Sequence, residues 1–301
     1  MSSIAYVTDE NMLEYHRLCG NKDINFWRLT TKASFKHFQK GDLLFFYAYT
    51  QHSKKKGFVG YGHFEESHDL TLTQMWKKYG TLNGYDSKEE LEEAIKDASR
   101  SSTVPEKMNC LVLKDIIFFV SPVYPSEVGL KLSEKLESYT YIDASDPSTT
   151  ARILRKAEEI GIDAWSSSQT FEPENIFAKD ETAHILTSIS KELGEEPWNT
   201  TDLRNIRSLS QGLLEKHYEL IRGTKGDFYR VVNNELEIVV PFVYNSKNRN
   251  ERIKDLLGCL TLYKLKAKEY NIPCAKVRIA FTSLKKEEDV ERLVEELNRY
   301  E

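Results

Sequence analysis

Between residues 25 and 66 the chain alternates short aromatic-rich segments with turns too brief to hold a helix, and this limits what the region can become. NFWRL (25–29), LLFFYAY (43–49) and GFVGYGHFEE (57–66) have the length and composition of strands. A Lys40-Gly41-Asp42 turn and a lysine-rich loop at 51–56 punctuate them. Parallel neighbours need a crossover of about a dozen residues, so the segments predict a small curved sheet or barrel rather than a parallel sheet. IAYV (4–7) reads as a strand before them, and Thr8 or Asp9 can cap a helix carrying Met12, Leu13, Tyr15, His16 and Leu18. Helices are predicted at 72–79 and 87–98, the second with Ser87 as N-cap and Glu90 as its capping-box partner, before strand returns at 110–120.

A chain of 301 residues is longer than one small core usually organises, which predicts two domains. The longest apolar runs, LLFFYAY and IIFFV (116–120), fall far short of the roughly 20 residues of a membrane span. The first residues lack a basic region followed by an apolar one, so no secretory signal is read and a cytoplasmic protein is expected. Cys19, Cys110, Cys259 and Cys274 are scattered without a CxxC pair, the pattern of reduced thiols rather than a zinc site or a disulfide framework. The net charge of -5 argues against indiscriminate coating of nucleic acid. Two segments are nevertheless basic: 21–80 holds ten Lys/Arg against five Asp/Glu, and 244–278 holds nine against three. Both are compatible with phosphate contact and equally with a solvated surface.

After Tyr141-Ile142-Asp143 the character changes, and 165–180, rich in Ser, Thr, Glu and Pro, is the linker expected. The domains are set at 1–165 and 181–301, with a linker at 166–180. Beyond it, helices are predicted at 182–193 and 203–221, a hairpin of 228–232 and 235–244 turning at Asn233-Asn234, a helix at 250–270, a strand at 276–281 and a helix from 287. The fold class expected is α+β.

Four blocks of the first half carry a resemblance. They are Asn25-Phe26-Trp27, then Phe35 with the Gly41-Asp42 turn, then Val59-Gly60-Tyr61-Gly62-His63-Phe64, then the run from Leu70 and Leu72 through Trp76 and Tyr79-Gly80 to Asn83-Gly84. A looser continuation follows in Asn109-Cys110-Leu111, Phe118-Phe119 and Tyr139-Thr140-Tyr141. In order and spacing these resemble bacterial proteins in which a PUA-like domain, related to EVE and ASCH domains, precedes an HNH nuclease.

The resemblance implies an N-terminal PUA-like β-barrel with flanking helices, a reader of modified bases in DNA that takes the base out of the stack, serving restriction or phage defence. A flipped base needs flat aromatic faces, polar groups for its pairing edge and cations for the flanking phosphates. Asn25, Phe26, Trp27, Phe46, Tyr47, Tyr49 and Tyr61 are the candidates for the base, with Trp27 first among them. Lys32, Lys36, Lys54, Lys55 and Lys56 are the candidates for phosphate. Alternate strand residues face opposite sides, so about half of the aromatics at 45–49 belong to a core. The partner expected is DNA, while a protein partner or a homodimer through the C-terminal domain stays open, as does an RNA ligand.

HNH activity does not carry over, because the second half has only His184 and His217, neither in such a setting. A PD-(D/E)xK nuclease core has helix, strands, helix and strand, an order that 203–301 loosely follows. Asp227 is a weak candidate for its first acid and Glu235 or Glu237 for the second, but Val239 stands where the lysine belongs. No GxSxG, Walker A, GxGxxG or HExxH is present. The catalytic constellation is incomplete, and no cofactor is expected. If the chain is an enzyme, it is a Mg-dependent, modification-dependent endonuclease with a divergent site.

Overall fold

The computed structural model describes residues 3–29, 35, 38–50, 53–99, 101–133, 135–144, 146–164, 176–194 and 198–300. The chain divides into two compact units, Met1–Phe177 and Ala178–Glu301, each a mixture of helix and sheet, so the fold is α+β.

In the first unit a six-stranded sheet runs in the order β2-β5-β4-β3-β1-β6. Its strands are β1 (Ile4–Val7), β2 (Ile24–Leu29), β3 (Leu43–Thr50), β4 (Ser53–Leu70), β5 (Met108–Val123) and β6 (Tyr139–Tyr141). All neighbours are antiparallel except β1 and β3, whose parallel pairing departs from the expected pattern. The exception is possible because 8–42 is long enough for a crossover, and it carries α1 (Glu10–Cys19). Asp9 caps this helix by accepting from the Met12 N–H, and Gly20 ends it at φ 61.

The sheet curls into a half-barrel. β1 and β2 lie four places apart in the strand order, about 19 Å in a flat sheet. The rings of Tyr6 and Phe26, one from each strand, are 4.9 Å apart. Register shifts along β4 and β5 produce the bend, between Phe58 and Gly60, Tyr61 and His63, and Phe64 and Glu66. Gly60 is required there, since a Cβ would stand 2.3 Å from the Ile117 carbonyl oxygen.

Each face of the curled sheet has its own core. Phe26, Leu44, Phe46, Leu111 and Phe118 fill the concave side. Phe45, Tyr47, Phe58, Tyr61 and Phe119 pack on the convex side against α4 (Thr149–Ile160) through Ile153, Leu154 and Ala157. α2 (Leu72–Tyr79) and α3 (Lys88–Ala98) cover Met108 and Cys110 with Met75, Leu91 and Ile95. Ser87 caps α3 as expected, but the Glu90 carboxylate accepts from the Asp86 N–H rather than closing a box on Ser87.

Of the expected linker, 165–175 lies outside the described residues. Its last five positions are instead the start of α5 (Ile176–Leu193), where Phe177 is buried against Tyr61 and Phe119. The second unit continues with α6 (Thr200–Leu214), β7 (Glu219–Leu220), β8 (Phe228–Val232), β9 (Glu235–Phe242), α7 (Arg249–Glu269), β10 (Lys276–Ser283) and α8 (Glu288–Arg299). Its sheet has the order β10-β9-β8-β7, with β9 and β10 parallel across α7. Asn233 and Asn234, at φ 52 and 63, make the two-residue hairpin turn. The helix predicted to run to 221 stops at Leu214, and β7 takes its last residues.

Gly60→Ala is expected to destabilise the protein by about 1–3 kcal/mol, because the obstacle is backbone of the adjoining strand and cannot rotate away. A urea titration reads this as a lower midpoint, and an unchanged midpoint would mean that the strands can part without cost.

Candidate functional site

β2 sends alternate side chains to opposite faces of the sheet, and this sorts the base-binding candidates. Asn25 is fully buried and its Nδ2 donates to Asn83 Oδ1 at 2.7 Å. Trp27 Nε1 donates to the Asn83 carbonyl at 3.2 Å, and its ring lies tilted against Tyr85. Asn83 in turn donates to the Gly80 carbonyl at 2.6 Å. Asn25 and Trp27 therefore grip the 3-10 turn Gly80–Asn83, so that the first and fourth blocks of the resemblance meet here.

Five of the base-binding candidates are buried. Asn25, Phe26 and Phe46 are buried, with the Phe26 and Phe46 rings stacked 6.2 Å apart on the concave side. Tyr47 and Tyr61 are buried on the convex side. Trp27 is half-buried with its N–H engaged. Tyr49 alone of the seven stays open, at 50% exposure. Lys56 Nζ stands 5.1 Å from the Tyr49 ring centroid and donates to the Leu136 carbonyl at 2.8 Å, while Lys55 is exposed. Lys32, Lys36 and the side chain of Lys54 lie outside the described residues.

The concave face holds a constellation that the sequence reading missed. Two residues after Phe26, Arg28 points to the same side and is only 6% exposed. Its guanidinium carbon lies 3.9 Å from the Phe35 ring centroid, and its Nε donates to Asn109 Oδ1 at 2.7 Å. Asn109 donates in turn to Asp69 at 2.8 Å, which fixes the amide so that its oxygen faces Arg28. Tyr6 and Tyr139 lie nearly parallel, 14° apart with centroids 6.1 Å apart, and Phe35 and Tyr141 meet Tyr139 edge-on. Burial pushes the Tyr6 phenol pKa up, against the lowering effect of hydrogen bonds with Ser138 and Arg28. The result is a cup of half-buried rings around a planar cation, able to stack a flat ligand and to offer N–H donors to its edge. The signal was the period of two from Phe26, which makes Arg28 an inward-facing charge.

Lys56 is tied to this cup through the chain. The carbonyl it holds belongs to Leu136, and three residues, at most about 11 Å, separate that position from Tyr139. Val7 fixes the same segment by donating to the Ser138 carbonyl at 2.7 Å.

The acids of the second unit do not assemble. Phe228 pairs with Val239 and Arg230 with Glu237, so Glu237 shares a face with Phe228 and Arg230 while Asp227 belongs to the opposite face. Glu237 accepts from the Tyr218 hydroxyl at 2.5 Å and from Arg230 at 2.9 Å, Glu235 pairs with Lys276, and Asp227 accepts from Tyr263. Val239 is packed with Leu213, Tyr218 and Phe228. Among the described residues no group of three or more His, Cys, Asp or Glu could hold a metal ion. Several cations of the basic segment at 246–268 are paired within the protein. Arg249 bridges Glu287 and Asp289, Lys264 donates to carbonyls at the end of α8, and Lys266 pairs with Glu192 and Glu269.

No protein-family model matches the chain, and no curated protein matches it. Among solved structures it is similar to ASCH from Zymomonas mobilis, 14% identical over 51% of this chain and 94% of that one, with a TM-score of 0.36. It is likewise similar to a tyrosine-to-phenylalanine mutant of that protein, 12% identical over 54% and 100%, with a TM-score of 0.35. A superposition that loose assigns no activity.

Behind β2, His16 is fully buried and its Nδ1 lies 3.1 Å from Asn21 Nδ2. Burial lowers its pKa to about 4, below the ordinary 6.5, so the unfolded chain takes up the proton first as the pH falls. The His16 contribution is therefore complete above pH 6.5 and is lost as the pH falls towards 4, amounting to on the order of 3 kcal/mol. His16→Gln is expected to flatten the unfolding free energy over that window. A variant as steep as the parent would assign the slope to other groups.

Proposed function

We propose that the first unit is a nucleic-acid-binding, PUA-like module that reads a modified base in DNA. The base leaves the stack and enters the cup formed by Tyr6, Phe35 and Tyr139, with the Arg28 guanidinium on its polar edge. The observation that carries this reading is the buried guanidinium among aromatic faces. Such a site pairs stacking with planar hydrogen-bond donation, the two contacts that hold an extruded base. Lys55 and Lys56 supply the flanking phosphate contacts. The resemblance of the four sequence blocks supports a role in restriction or phage defence, with the DNA modification as the signal. The alternative of a modification-dependent nuclease gains no support, since Asp227 belongs to the face opposite Glu235 and Glu237 and each of the three is already engaged within the fold.

Energetics favour a selective reader over a general binder. The chain is acidic overall and this reading gives it two phosphate-contacting lysines, so the electrostatic contribution to affinity is small. Discrimination then rests on the contacts inside the cup.

The direct test is binding of the purified protein to matched duplexes that are unmodified, cytosine-methylated, hydroxymethylated or adenine-methylated, beside the same sequence as RNA. One modified duplex is expected to bind at least tenfold tighter than the rest, and Arg28→Lys, which keeps the charge and loses the plane, is expected to erase the preference. Thermal melting of the variant separates lost binding from lost folding. Equal affinity for every oligonucleotide, unchanged by Arg28→Lys, would overturn the assignment, and a preference for RNA would move it to another ligand class. The slope of log affinity against log salt is expected near -2, from two phosphate contacts. Trp27→Ala is expected to act on stability, costing about 3–5 kcal/mol in urea unfolding as a cavity beside the Gly80–Asn83 turn.

A further inference from the structure

The second unit holds a pocket of about 600 Å³, within the range that encloses a small organic molecule. One stripe of α7, the turn at 223–225 and Trp198 contribute to its walls. Three of its lining residues are glycines, and among the described residues no side chain fills the space beside them. A Cβ at Gly194 or Gly258 would meet nothing within 4 Å, and one at Gly223 would meet only Ser190 Oγ at 3.5 Å.

The chemistry of the lining narrows the ligand. Lys225, Arg252 and Lys254 face the same space as Asp227, Glu251 and Asp255, so the formal charges cancel. A polyanion gains little from such a wall, whereas an uncharged ligand rich in donors and acceptors finds partners of both kinds. One feature is flat: the Arg252 guanidinium carbon lies 4.5 Å from the centroid of Trp198. Asp202 at 3.7 Å and Asp255 at 3.9 Å hold the guanidinium, and its side chain is 13% exposed. A guanidinium fixed on an indole is a plate on which a heteroaromatic ring can stack. Asp227, anchored by the Tyr263 hydroxyl at 2.8 Å, presents a carboxylate that accepts hydrogen bonds and donates none.

We propose that this pocket binds a nucleoside whose base carries an exocyclic amino group. The base stacks on the Arg252–Trp198 plate, the amino group donates to Asp227, and the sugar hydroxyls meet the carboxylates of Glu251 and Asp255. The site is independent of the cup in the first unit and does not rest on the reading given to it.

Calorimetric titration of the full chain with guanosine, adenosine, cytidine and uridine tests this, with inorganic phosphate as competitor. At least one amino-bearing nucleoside is expected to bind at least tenfold more tightly than uridine, with no displacement by phosphate. Gly258→Leu extends a side chain into open space from the middle of α7 and replaces glycine with a better helix former, so the fold is retained. It is expected to abolish binding at an unchanged or higher melting temperature. Asp227→Asn keeps an oxygen for Tyr263 but turns a donor towards a donor, and is expected to weaken binding at least tenfold. The proposal fails if no nucleoside binds at millimolar concentration, if Gly258→Leu binds as the parent does, if uridine binds equally well, or if phosphate displaces the ligand.

Discussion

The period of two along β2 is the constraint on which the first unit turns. Asn25 and Trp27 reach outward to one residue, Asn83, and hold the Gly80–Asn83 turn to the sheet. Phe26 and Arg28 reach inward, where Phe26 meets Tyr6 across the curl and Arg28 meets Phe35. Shifting this strand by one residue would bury Trp27 in the half-barrel and send the guanidinium to the turn. Both halves of the strand's work would be lost together, since neither residue suits the other's surroundings. The register is held by six paired residues with β5, from Ile24 opposite Leu113 to Leu29 opposite Met108.

A guanidinium at Arg28's depth gives up several kcal/mol of hydration, and the fold must return most of it through specific partners. Asn109 and Tyr6 supply hydrogen bonds, and Phe35 supplies a ring face. The Asp69–Asn109–Arg28 chain places a carboxylate one amide away from the cation, and the amide orients the guanidinium.

Much of the fold was legible because local signals and tertiary demands coincide. The short link between β3 and β4 called for an antiparallel pair, Thr8 or Asp9 and Ser87 marked helix starts, and Asn233-Asn234 marked a hairpin. The parallel pairing of β1 with β3 was not legible, because nothing local distinguishes a strand that pairs with its neighbour from one that skips β2. The site was read less well for a related reason. Counting aromatics selects residues suited to stacking, and the same residues are those a half-barrel uses to fill itself. Phe46 and Tyr61 were thus indistinguishable in sequence from a cage, and only the curl, which depends on bulges and on the backbone approach at Gly60, assigns them to cores. The informative residue was the charged one on an apolar face, since a strand does not turn an arginine inward without a use for it.

The same contrast explains why the second unit misled by composition. Its surplus of Lys and Arg at 244–278 looks like a phosphate surface, yet the structure places those cations against carboxylates, helix-end carbonyls and an indole. Arg249 bridges the first turn of α8, where acids suit the positive helix end, and Lys264 gathers carbonyls from its last turn, where a cation suits the negative end. Charge density along a sequence therefore measures how many partners a segment needs, and the fold decides whether those partners are its own. In α7 they are largely its own, which is why a polar pocket with cancelling charges, rather than a basic stripe, is the feature its surface presents.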